Sequence, residues 1–377
     1  MSQEIRVDFA HRVVFTRGLF DPANRVLVDS LRGGAPRAVA FLDSGLAAAR
    51  PDLESKLRSS LDGRDGRPSL LEVSIVPGGE VCKSDREVVD AVVTSVDRHH
   101  LCRRSWVIAI GGGAVLDAVG YGASIAHRGV RLVRIPTTVL AQDDAAMGVK
   151  NGINRFGKKN FEGVFAVPWA VLVDSDLLAT LSDRHWRSGF SEAVKISLLR
   201  DEAFFRQIEL DADDLRQRRL ERAIPVIRRC AELHLDHIAN GGDPFESREA
   251  RPLDFGHWSA HKLEQLTSFE LCHGEAVSIG IALDTQYSVE LGWLPQQESD
   301  RVANCLLRLG LPICHPSLSD PRLLEGIEEF REHLGGKLTV TMLRSIGAPQ
   351  DVNELRSDLI SRAIASISSR STEFSKT

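Results

Sequence analysis

A strand, turn, helix and strand follow one another in the N-terminal half, and this pattern constrains the fold most. The apolar run 106–110 leads directly into three glycines at 111–113. A helix-like stretch covers 114–126, and a second apolar run covers 130–135. Such a succession is a βαβ unit, and βαβ units build parallel sheets. We therefore predict an α/β domain with a parallel sheet in this half of the chain.

The pattern of the sequence changes near residue 181. Before it, the run 37–43 is typical of a buried parallel strand, and alternating apolar residues over 5–15 predict a strand pair. After it, long segments have helical spacing, namely 184–200, 202–217, 219–239, 257–267, 273–292, 297–309 and 353–369. We predict two domains, with residues 1–181 forming α/β structure and residues 182–377 forming mainly α-helices.

Length and composition exclude several classes of protein. A chain of 377 residues is too long for one ordinary core, and 43% hydrophobic with 26% charged residues is typical of globular proteins. The formal charge of −5 argues against a nucleic-acid binder, so affinity for phosphate would need a local pocket. Six scattered cysteines without a CxxC pair favour reduced thiols. Without a signal-peptide pattern or a long apolar segment, we expect a cytoplasmic protein that does not interact with membranes.

Residues with metal-ligand chemistry lie in three separate segments. They are Glu192 in SEAVK, His257 and His261 in DFGHWSAH, and His273 and Glu275 in CHGEAV. One carboxylate with two imidazoles is a ligand set of catalytic zinc sites, which keep a position open for substrate. Each of these segments also has an interpretation without a metal. Glu192 and Lys195 could form a surface ion pair, and a lone histidine is usually a residue of the hydrophobic core. Their joint occurrence favours a metal site.

Two other segments are suited to phosphate groups. A glycine turn between strand and helix lets backbone N–H groups approach a pyrophosphate, although a plain tight turn is equally consistent with 111–113. Asp43 and the pair 137–138 (Thr-Thr) follow neighbouring strands and could contact a dinucleotide. The segments 144–154 and 157–160 combine lysines and amides between glycines, which suits a phosphate with adjacent hydroxyls, or a solvated basic loop. Together these features indicate an enzyme for a phosphorylated, hydroxyl-rich substrate.

Seven motifs occur in the order that is found in the sugar-phosphate cyclase superfamily, whose best-known member is 3-dehydroquinate synthase. They are PGGEVCKS (77–84), GGGAVLD (111–117), RIPTTVLAQDDAAMGVKNGIN (134–154), GKKN (157–160), SEAVK (191–195), DFGHWSAHKLE (254–264) and HGEAV (273–277). The resemblance covers roughly residues 36–345. It implies a Rossmann-like NAD-binding domain, a C-terminal α-helical metal- and substrate-binding domain, an active site in the cleft, and a homodimer.

The resemblance also implies roles for individual residues. Glu192, His257 and His273 match the ligands of Zn²⁺ (or Co²⁺), and His261 matches a histidine beside the metal or the phosphate. The residues that match NAD-binding positions are Asp43, Glu80, Lys83, Gly112, Gly113, Asp117, Thr137, Thr138, Lys159 and Thr180. Those that match positions around a sugar-phosphate substrate are Asp144, Lys150, Lys159, Asn160, Lys195, Asp254 and Arg331.

The implied reaction involves no net oxidation. The metal would bind vicinal hydroxyls and lower the pKa of one of them, and NAD would take a hydride from the carbon that carries this hydroxyl. The resulting ketone acidifies the neighbouring C–H bond. Phosphate then leaves by β-elimination, NADH returns the hydride, and the opened ring closes to a carbocycle by an intramolecular aldol reaction.

The chain departs from dehydroquinate synthase where that enzyme binds a substrate carboxylate. In the synthase pattern Arg-x-x-x-Asn-x-Gly-His, Ala250 stands for the arginine and Asp254 for the asparagine, while Arg251 is one position out of place. Asp236 and His237 stand where the synthase has a lysine. The carboxylate-binding cations are therefore missing from their usual positions. Near the C-terminus, an Asp-Lys-Lys of the synthase is replaced at 330–332, which leaves only the arginine at 331 for phosphate.

Three enzymatic interpretations remain. The preferred one is a cyclase for a carboxylate-free sugar phosphate such as sedoheptulose 7-phosphate, as in the 2-epi-5-epi-valiolone and 2-epi-valiolone synthases. The alternatives are 3-dehydroquinate synthase with rearranged carboxylate contacts and a metal- and NAD-dependent polyol dehydrogenase. A non-catalytic binding protein is poorly motivated, because the metal ligands and the lysines are complete.

Overall fold

The chain forms two compact units. The first ends at Leu181, and the second begins at Ser182. The structure, a computed structural model, describes residues 2–3, 5, 7–245 and 252–374. The strands of the first unit are β1 (Val13–Thr16), β2 (Arg37–Asp43), β3 (Ser69–Val76), β4 (Trp106–Gly111), β5 (Arg131–Pro136), β6 (Lys150–Arg155), β7 (Lys158–Phe165) and β8 (Ala170–Asp174). Its α-helices are α1 (Val26–Ser30), α2 (Ser44–Ala49), α3 (Leu53–Ser60), α4 (Glu87–Arg98) and α5 (Gly113–Ile125). Three 3-10 helices (Glu80–Lys83, Ala126–Arg128 and Ser175–Thr180) and a π-helix (Ala141–Ala145) complete this unit.

Six of these strands form one parallel sheet in the order β1-β8-β5-β4-β2-β3. Every residue of β4 is buried, as is every residue of β8, because strands in the middle of a parallel sheet are covered on both faces. The strand order reverses between β2 and β4, and the carboxyl ends of those two strands lie side by side. Ligands of open α/β sheets bind at such a reversal point. The βαβ unit read from the sequence is therefore confirmed.

The predicted strand pair over residues 5–15 is wrong. Only Val13–Thr16 forms a strand, and it pairs with β8. Val7 and Phe9 lie outside any strand, with 64% and 60% of their surface exposed. Alternating apolar residues favour a strand only where a neighbouring strand supplies hydrogen bonds and a surface to bury, and that partner comes from a remote part of the chain.

Residues 150–165 form a separate antiparallel hairpin, β6–β7. The solvated basic loop, which is one interpretation of this segment of the sequence, is wrong. Instead, the lysines at 150, 158 and 159 lie on the two strands of the hairpin, and the turn between the strands contains Gly157 with a φ of +73°. A residue without a side chain adopts this left-handed conformation at little cost.

The second unit is mainly helical. Its helices are α6 (Asp183–Ser188), α7 (Phe190–Arg200), α8 (Glu202–Arg216), α9 (Leu220–Asn240), α10 (His257–Leu266), α11 (His273–Glu290), α12 (Gln296–Arg308), α13 (Glu325–His333) and α14 (Ser357–Phe374). It also contains a hairpin of β9 (Val340–Ser345) and β10 (Ala348–Val352), and short 3-10 helices at Pro252–Asp254, Pro316–Ser319 and Pro321–Leu324. The helical periodicity had not indicated α13 or the hairpin. In the described part of the chain, every helix is too short or too polar to cross a membrane.

Candidate active site

Three side chains of the second unit converge on one point. Glu192 lies in the first turn of α7, His257 begins α10, and His273 begins α11. Oε1 of Glu192 is 3.6 Å from Nε2 of His257 and 3.7 Å from Nε2 of His273. Oε1 of Glu192, which is 0% exposed, has no hydrogen-bond partner among the described residues, whereas Oε2 forms an ion pair with Nζ of Lys195. A buried carboxylate facing two imidazole nitrogens fits a divalent metal ion.

The two imidazoles are oriented by groups behind them. Nδ1 of His257 donates to the carbonyl oxygen of Phe255 at 3.0 Å, and Nδ1 of His273 lies 3.2 Å from Oε2 of Glu264. Because Nδ1 is engaged in both rings, Nε2 keeps its lone pair for a metal. Burial, reinforced by the positive charges of nearby residues, holds the pKa of His257 well below its usual range. The neutral imidazole that results is the form that binds metals.

A close contact between two helices fixes the start of α10. Gly256 has a φ of +78°, and a Cβ on Gly280 of α11 would lie 1.9 Å from the Gly256 carbonyl oxygen. Asp284, also on α11, accepts hydrogen bonds from the backbone N–H of Gly256 and from Nε1 of Trp258, both at 2.8 Å. His257 lies between these two donors in sequence, so Asp284 positions it. Sequence reasoning missed Asp284, and the only signal for it is an acid that directly follows the mostly apolar stretch 276–283 of α11.

The neighbouring candidates have different roles. Glu275 accepts from Nε of Arg184 at 2.8 Å and from the backbone N–H of Cys272, so it caps α11 and is not a metal ligand. The ring of His261 is 5.4 Å from that of His257 and 6.0 Å from that of His273. His261 therefore lies beside the candidate metal centre.

Glu192 and Lys195 do not form the surface ion pair that was the ordinary interpretation of their spacing. They are 0% and 3% exposed, and Nζ of Lys195 is 2.5 Å from Oε2 of Glu192. Helix α7 is buried on all sides from Phe190 to Leu199. A lysine inside such a helix brings a cation next to the metal centre, which suits contact with an anionic or hydroxylated substrate.

In the first unit, the glycine turn lies at the carboxyl end of β4. Gly112 is the N-cap of α5. Because glycine has no side chain that could cap the helix, the first N–H groups of α5 can bind a ligand instead. A Cβ on Gly112 would lie 3.2 Å from Cγ2 of Thr138, and one on Gly113 would lie 3.1 Å from Cβ of Ala145. The absence of side chains keeps this turn close to its neighbours. The turn therefore fits the phosphates of a dinucleotide.

Asp43 lies at the end of the adjacent strand. Its Oδ1 accepts from the backbone N–H of Leu46 at 2.9 Å and caps α2. A Cβ on Gly78 would lie 2.3 Å from the other oxygen, Oδ2, so a larger residue at 78 would displace the carboxylate. An acid at this end of β2, next to the glycine turn, is placed to accept hydrogen bonds from a ribose.

Four predicted cofactor and substrate residues are linked by hydrogen bonds. Lys83, only 3% exposed, donates to Oδ2 of Asp117 at 2.7 Å and to Oδ1 of Asn160. Nδ2 of Asn154 donates to Oε1 of Glu80 at 2.6 Å, and Oδ1 of Asn154 accepts from the backbone N–H of Asn160. The network joins the 3-10 helix at 80–83, α5 and the β6–β7 hairpin. The structure thus brings together residues that the sequence placed in three motifs.

A buried arginine, which sequence reasoning missed, holds the segment that precedes this hairpin. Arg134 is 0% exposed and donates to the carbonyl oxygens of Gly148 at 2.7 Å and Lys150 at 2.8 Å, and to Oδ1 of Asn151. Burial lowers its pKa. The segment that it holds contains the predicted substrate residues Asp144, which is partly buried, and Lys150, which is exposed. Its position inside the matched motif was the only sequence signal.

The remaining predicted residues take varied positions. The backbone N–H of Thr137 donates to the Gly111 carbonyl oxygen, and Oγ1 of Thr180 donates to the carbonyl oxygen of Leu177.

Lys159 lies half-buried on β7, and Asp254 ends the short 3-10 helix before α10. Arg331 is exposed and donates to Glu328 of its own helix, so its phosphate contact stays a prediction. Ala250 and Arg251 lie outside the described residues.

Comparison with models of protein families identifies the family of this chain. The model of the 3-dehydroquinate synthase N-terminal domain matches residues 73–188, and that of the C-terminal domain matches residues 189–331. The chain belongs to the 3-dehydroquinate synthase family. A 3-dehydroquinate synthase of Paracoccus denitrificans is 38% identical over 316 residues, which is 82% of each chain. One from Halorhodospira halophila is 34% identical over 294 residues, 74% of this chain and 81% of the relative.

Solved structures place this family member among the sugar-phosphate cyclases. A 2-epi-5-epi-valiolone synthase from Streptomyces hygroscopicus, solved with NAD⁺ and Zn²⁺ bound, has a TM-score of 0.89 and 30% identity over 98% of this chain and 100% of that one. A 2-deoxy-scyllo-inosose synthase solved with Co²⁺, at 22% identity and a TM-score of 0.75 over 93% and 95% of the chains, shares the fold. The superfamily and the fold class predicted from the sequence are confirmed.

Proposed function

We propose that this chain is a phosphate-eliminating cyclase that converts sedoheptulose 7-phosphate to a carbocyclic C7 cyclitol. NAD and Zn²⁺ (or Co²⁺) are its cofactors, in line with the structural relative that is 30% identical. Glu192, His257 and His273 would hold the metal, and the glycine turn with Asp43 would hold NAD. When bound, the metal supplies a Lewis acid that lowers the pKa of a substrate hydroxyl, and NAD supplies a reversible hydride acceptor.

The observation that carries the choice of substrate is the anion at position 254. At position 254, dehydroquinate synthase has a neutral asparagine and this chain has an aspartate. Asp254 immediately precedes Phe255, whose carbonyl oxygen orients the proposed metal ligand His257. A substrate carboxylate next to Asp254 would meet a like charge and lose a charge-assisted hydrogen bond, which costs about 1.5–3 kcal/mol. Such a loss lowers kcat/KM roughly tenfold to a hundredfold. The hydroxyl groups of a neutral sugar end could instead donate to Asp254.

Groups of this chain can perform the binding steps that the reaction needs. Lys150, Lys159 and Asn160 on the hairpin β6–β7 offer donors for a phosphate. Because Oδ1 of Asn160 accepts from Lys83, its Nδ2 is left with the two donor hydrogens. Lys195, next to Glu192, offers a buried ammonium group for the hydroxyl groups of the substrate. A local set of cations is required, because the chain as a whole carries a net negative charge.

The second candidate is 3-dehydroquinate synthase itself. The names of the curated relatives favour it, since a relative that carries this name is 38% identical to the chain. Under this alternative, cations other than those of the usual pattern would bind the carboxylate. A homodimer remains a prediction from the family resemblance, and light scattering of the purified protein would test it.

One experiment separates the two candidates. The enzyme, loaded with NAD and Zn²⁺ or Co²⁺, is given sedoheptulose 7-phosphate and, in parallel, the dehydroquinate synthase substrate, and phosphate release is measured. We expect faster release from sedoheptulose 7-phosphate, with no steady rise of absorbance at about 340 nm because NADH is reoxidised in each turnover. Faster release from the carboxylate-bearing substrate would establish the second candidate. Stoichiometric NADH formation would instead identify a polyol dehydrogenase.

A further inference from the structure

Strand β7 carries Lys159 and Asn160, two of the predicted phosphate contacts, on a hairpin that is separate from the six-stranded sheet. Most residues of this strand are exposed, including Phe161 at 53% and Phe165 at 42%. Segments with little apolar burial open more easily than the core of a domain. The polar contacts of β7 therefore have a large effect on where its side chains lie.

The strand is bulged at the two predicted contacts. Asn160 has a left-handed backbone with a φ of +53°, and the register with β6 shifts between Ile153 and Arg155. Asparagine adopts this conformation more readily than most residues. A bulge changes the direction of the side chains that it carries, and bulges are common next to active sites. This one determines how Lys159 and Asn160 are presented.

Glu162 fixes the two ends of the bulge relative to each other. On one side of it, Glu162 pairs with Ile153 of β6, and on the other side Lys158 pairs with Arg155. Nη1 of Arg155 donates to Oε2 of Glu162 at 3.0 Å. The ion pair therefore spans the bulge, so the backbone between its ends cannot straighten without breaking this contact.

The other carboxylate oxygen of Glu162 attaches the hairpin to two helices. Oε1 accepts from the hydroxyl group of Tyr121 on α5 at 3.0 Å and from Nη1 of Arg86, the N-cap of α4. Only 24% of the Glu162 side chain is exposed. Hydrogen bonds to a charged group are the stronger ones, and a shielded environment strengthens them further. Sequence reasoning missed Glu162, which lies outside the seven motifs.

We infer that Glu162 is a positioning residue for the substrate phosphate, because it holds the bulge of β7 in the conformation that presents Lys159 and Asn160. The inference rests on the proposed function in one respect, namely that a phosphorylated substrate binds these two residues. A hairpin that samples other conformations is competent for binding in only a fraction of the molecules, and the apparent affinity falls by that fraction. Loss of the Glu162 carboxylate should therefore raise KM, whereas kcat changes little.

The test compares Glu162→Gln with Glu72→Gln in the full-length, metal- and NAD-loaded enzyme. Glu72 is a matched control, because its side chain is 23% exposed and contacts Ser74, Ser95 and His99 on the edge strand β3, away from the hairpin. We expect Glu162→Gln to raise KM about tenfold or more and to change kcat by less than about threefold. Glu72→Gln should leave both constants within about twofold of wild type.

Two further measurements separate positioning from a general loss of stability. Amide hydrogen exchange over residues 150–165 should accelerate in Glu162→Gln and keep the wild-type rate in Glu72→Gln. Arg155→Gln alone should raise KM about threefold or more, but in the Glu162→Gln background it should add less than about twofold. Such non-additivity is expected where two residues act through one contact.

An unchanged KM in Glu162→Gln would overturn the inference, as would an equal rise of KM in Glu72→Gln. If the wild type prefers the dehydroquinate synthase substrate, the proposed function fails, while the same comparison made with that substrate still decides the role of Glu162. If neither substrate turns over, hydrogen exchange decides. Faster exchange of residues 150–165 in Glu162→Gln alone would support the positioning role, and equal exchange in this variant and the wild type would exclude it.

Discussion

Glu264 holds His273 from behind: its Oε2 lies 3.2 Å from Nδ1, while Nε2 on the other side of the ring faces Glu192 at 3.7 Å. Glu264 is itself 2% exposed and lies on α10, the helix that begins with His257. The two candidate histidine ligands are therefore coupled, because the helix that presents one of them also orients the other. A carboxylate behind a metal-bound imidazole fixes its tautomer and raises its basicity.

Glu264→Gln should weaken metal binding without abolishing it. The glutamine side chain has the same size as glutamate, but it lacks the negative charge that would make His273 a stronger metal ligand. We therefore expect a 10- to 100-fold loss of metal affinity. Titration of the metal-free protein with Zn²⁺ or Co²⁺ measures this. Glu270→Gln, which alters an exposed residue close to the start of α11, is the control. Wild-type affinity in Glu264→Gln would mean that the contact is not part of the metal centre.

His257→Ala should remove most of the bound metal and nearly all activity. It deletes one of three ligands and leaves Glu192 buried with one imidazole fewer. Metal per chain after dialysis, determined by atomic absorption, gives the result. A full equivalent of tightly bound metal in this variant would refute the ligand set.

Lys159→Ala should impair turnover far more than it impairs metal content. The lysine lies on the hairpin that carries the predicted phosphate contacts, and loss of a charge-assisted hydrogen bond to phosphate costs about 1.5–3 kcal/mol. The neighbouring Lys158 is exposed and lies over the ring of Phe161, so Lys158→Ala is a matched control. Steady-state phosphate release from both variants is compared. Equal kcat/KM in the two variants would contradict the role of Lys159.

Gly112→Ala should weaken NAD binding about tenfold or more. The added Cβ would lie 3.2 Å from Cγ2 of Thr138, whose Oγ1 also accepts from the backbone N–H of Ala141. The turn or the Thr138 side chain must therefore move by a few tenths of an ångström at the helix end that a pyrophosphate would approach. Calorimetric titration with NAD measures the effect, and an unchanged thermal transition would show that the fold is intact. Undiminished NAD affinity would place the cofactor elsewhere.

Asp284 should make the stability of the metal-free protein depend on pH. Burial raises the pKa of this carboxyl to about 7, although two hydrogen bonds oppose the shift. Between about pH 4 and 7 the folded state then binds a proton that the unfolded chain has released. The free energy of unfolding should accordingly fall as the pH rises through this range, by up to about 1.4 kcal/mol per pH unit.

Asp284→Asn is expected to remove this contribution to the slope. It should also lower stability overall, because the amide nitrogen would face one of the donors of Gly256 and Trp258. Urea unfolding at pH 5, 6 and 7 in the presence of a chelator compares the two proteins. Parallel pH profiles would show that Asp284 does not titrate in this range.

Local patterns predicted the parts of the molecule that depend on local contacts. The strand, glycine turn and helix at 106–125 were recognised because a buried parallel strand is continuously apolar and a helix repeats every 3.6 residues. Helix α13 and the hairpin β9–β10 were missed, because α13 is short and rich in charge and β10 is mostly exposed. The strand pair over 5–15 failed for the opposite reason, since the alternating pattern was present but residues 7–12 lie outside any strand, and only β1 found a partner.

The sequence by itself determined the family, the two-part organisation and the set of candidate ligands, because motif chemistry and spacing are written along the chain. Only the tertiary structure decided which candidates act together. It showed that His257 and His273 face Glu192, whereas Glu275 caps α11. It also showed which residues hold the candidate site residues in position: Glu264 contacts His273, Asp284 fixes the start of α10, and Arg134 binds the segment before the hairpin β6–β7. The physical reason is that a buried polar group must find its partner through space, and that partner can be 26 or more residues away in the chain, as Asp284 is from Trp258.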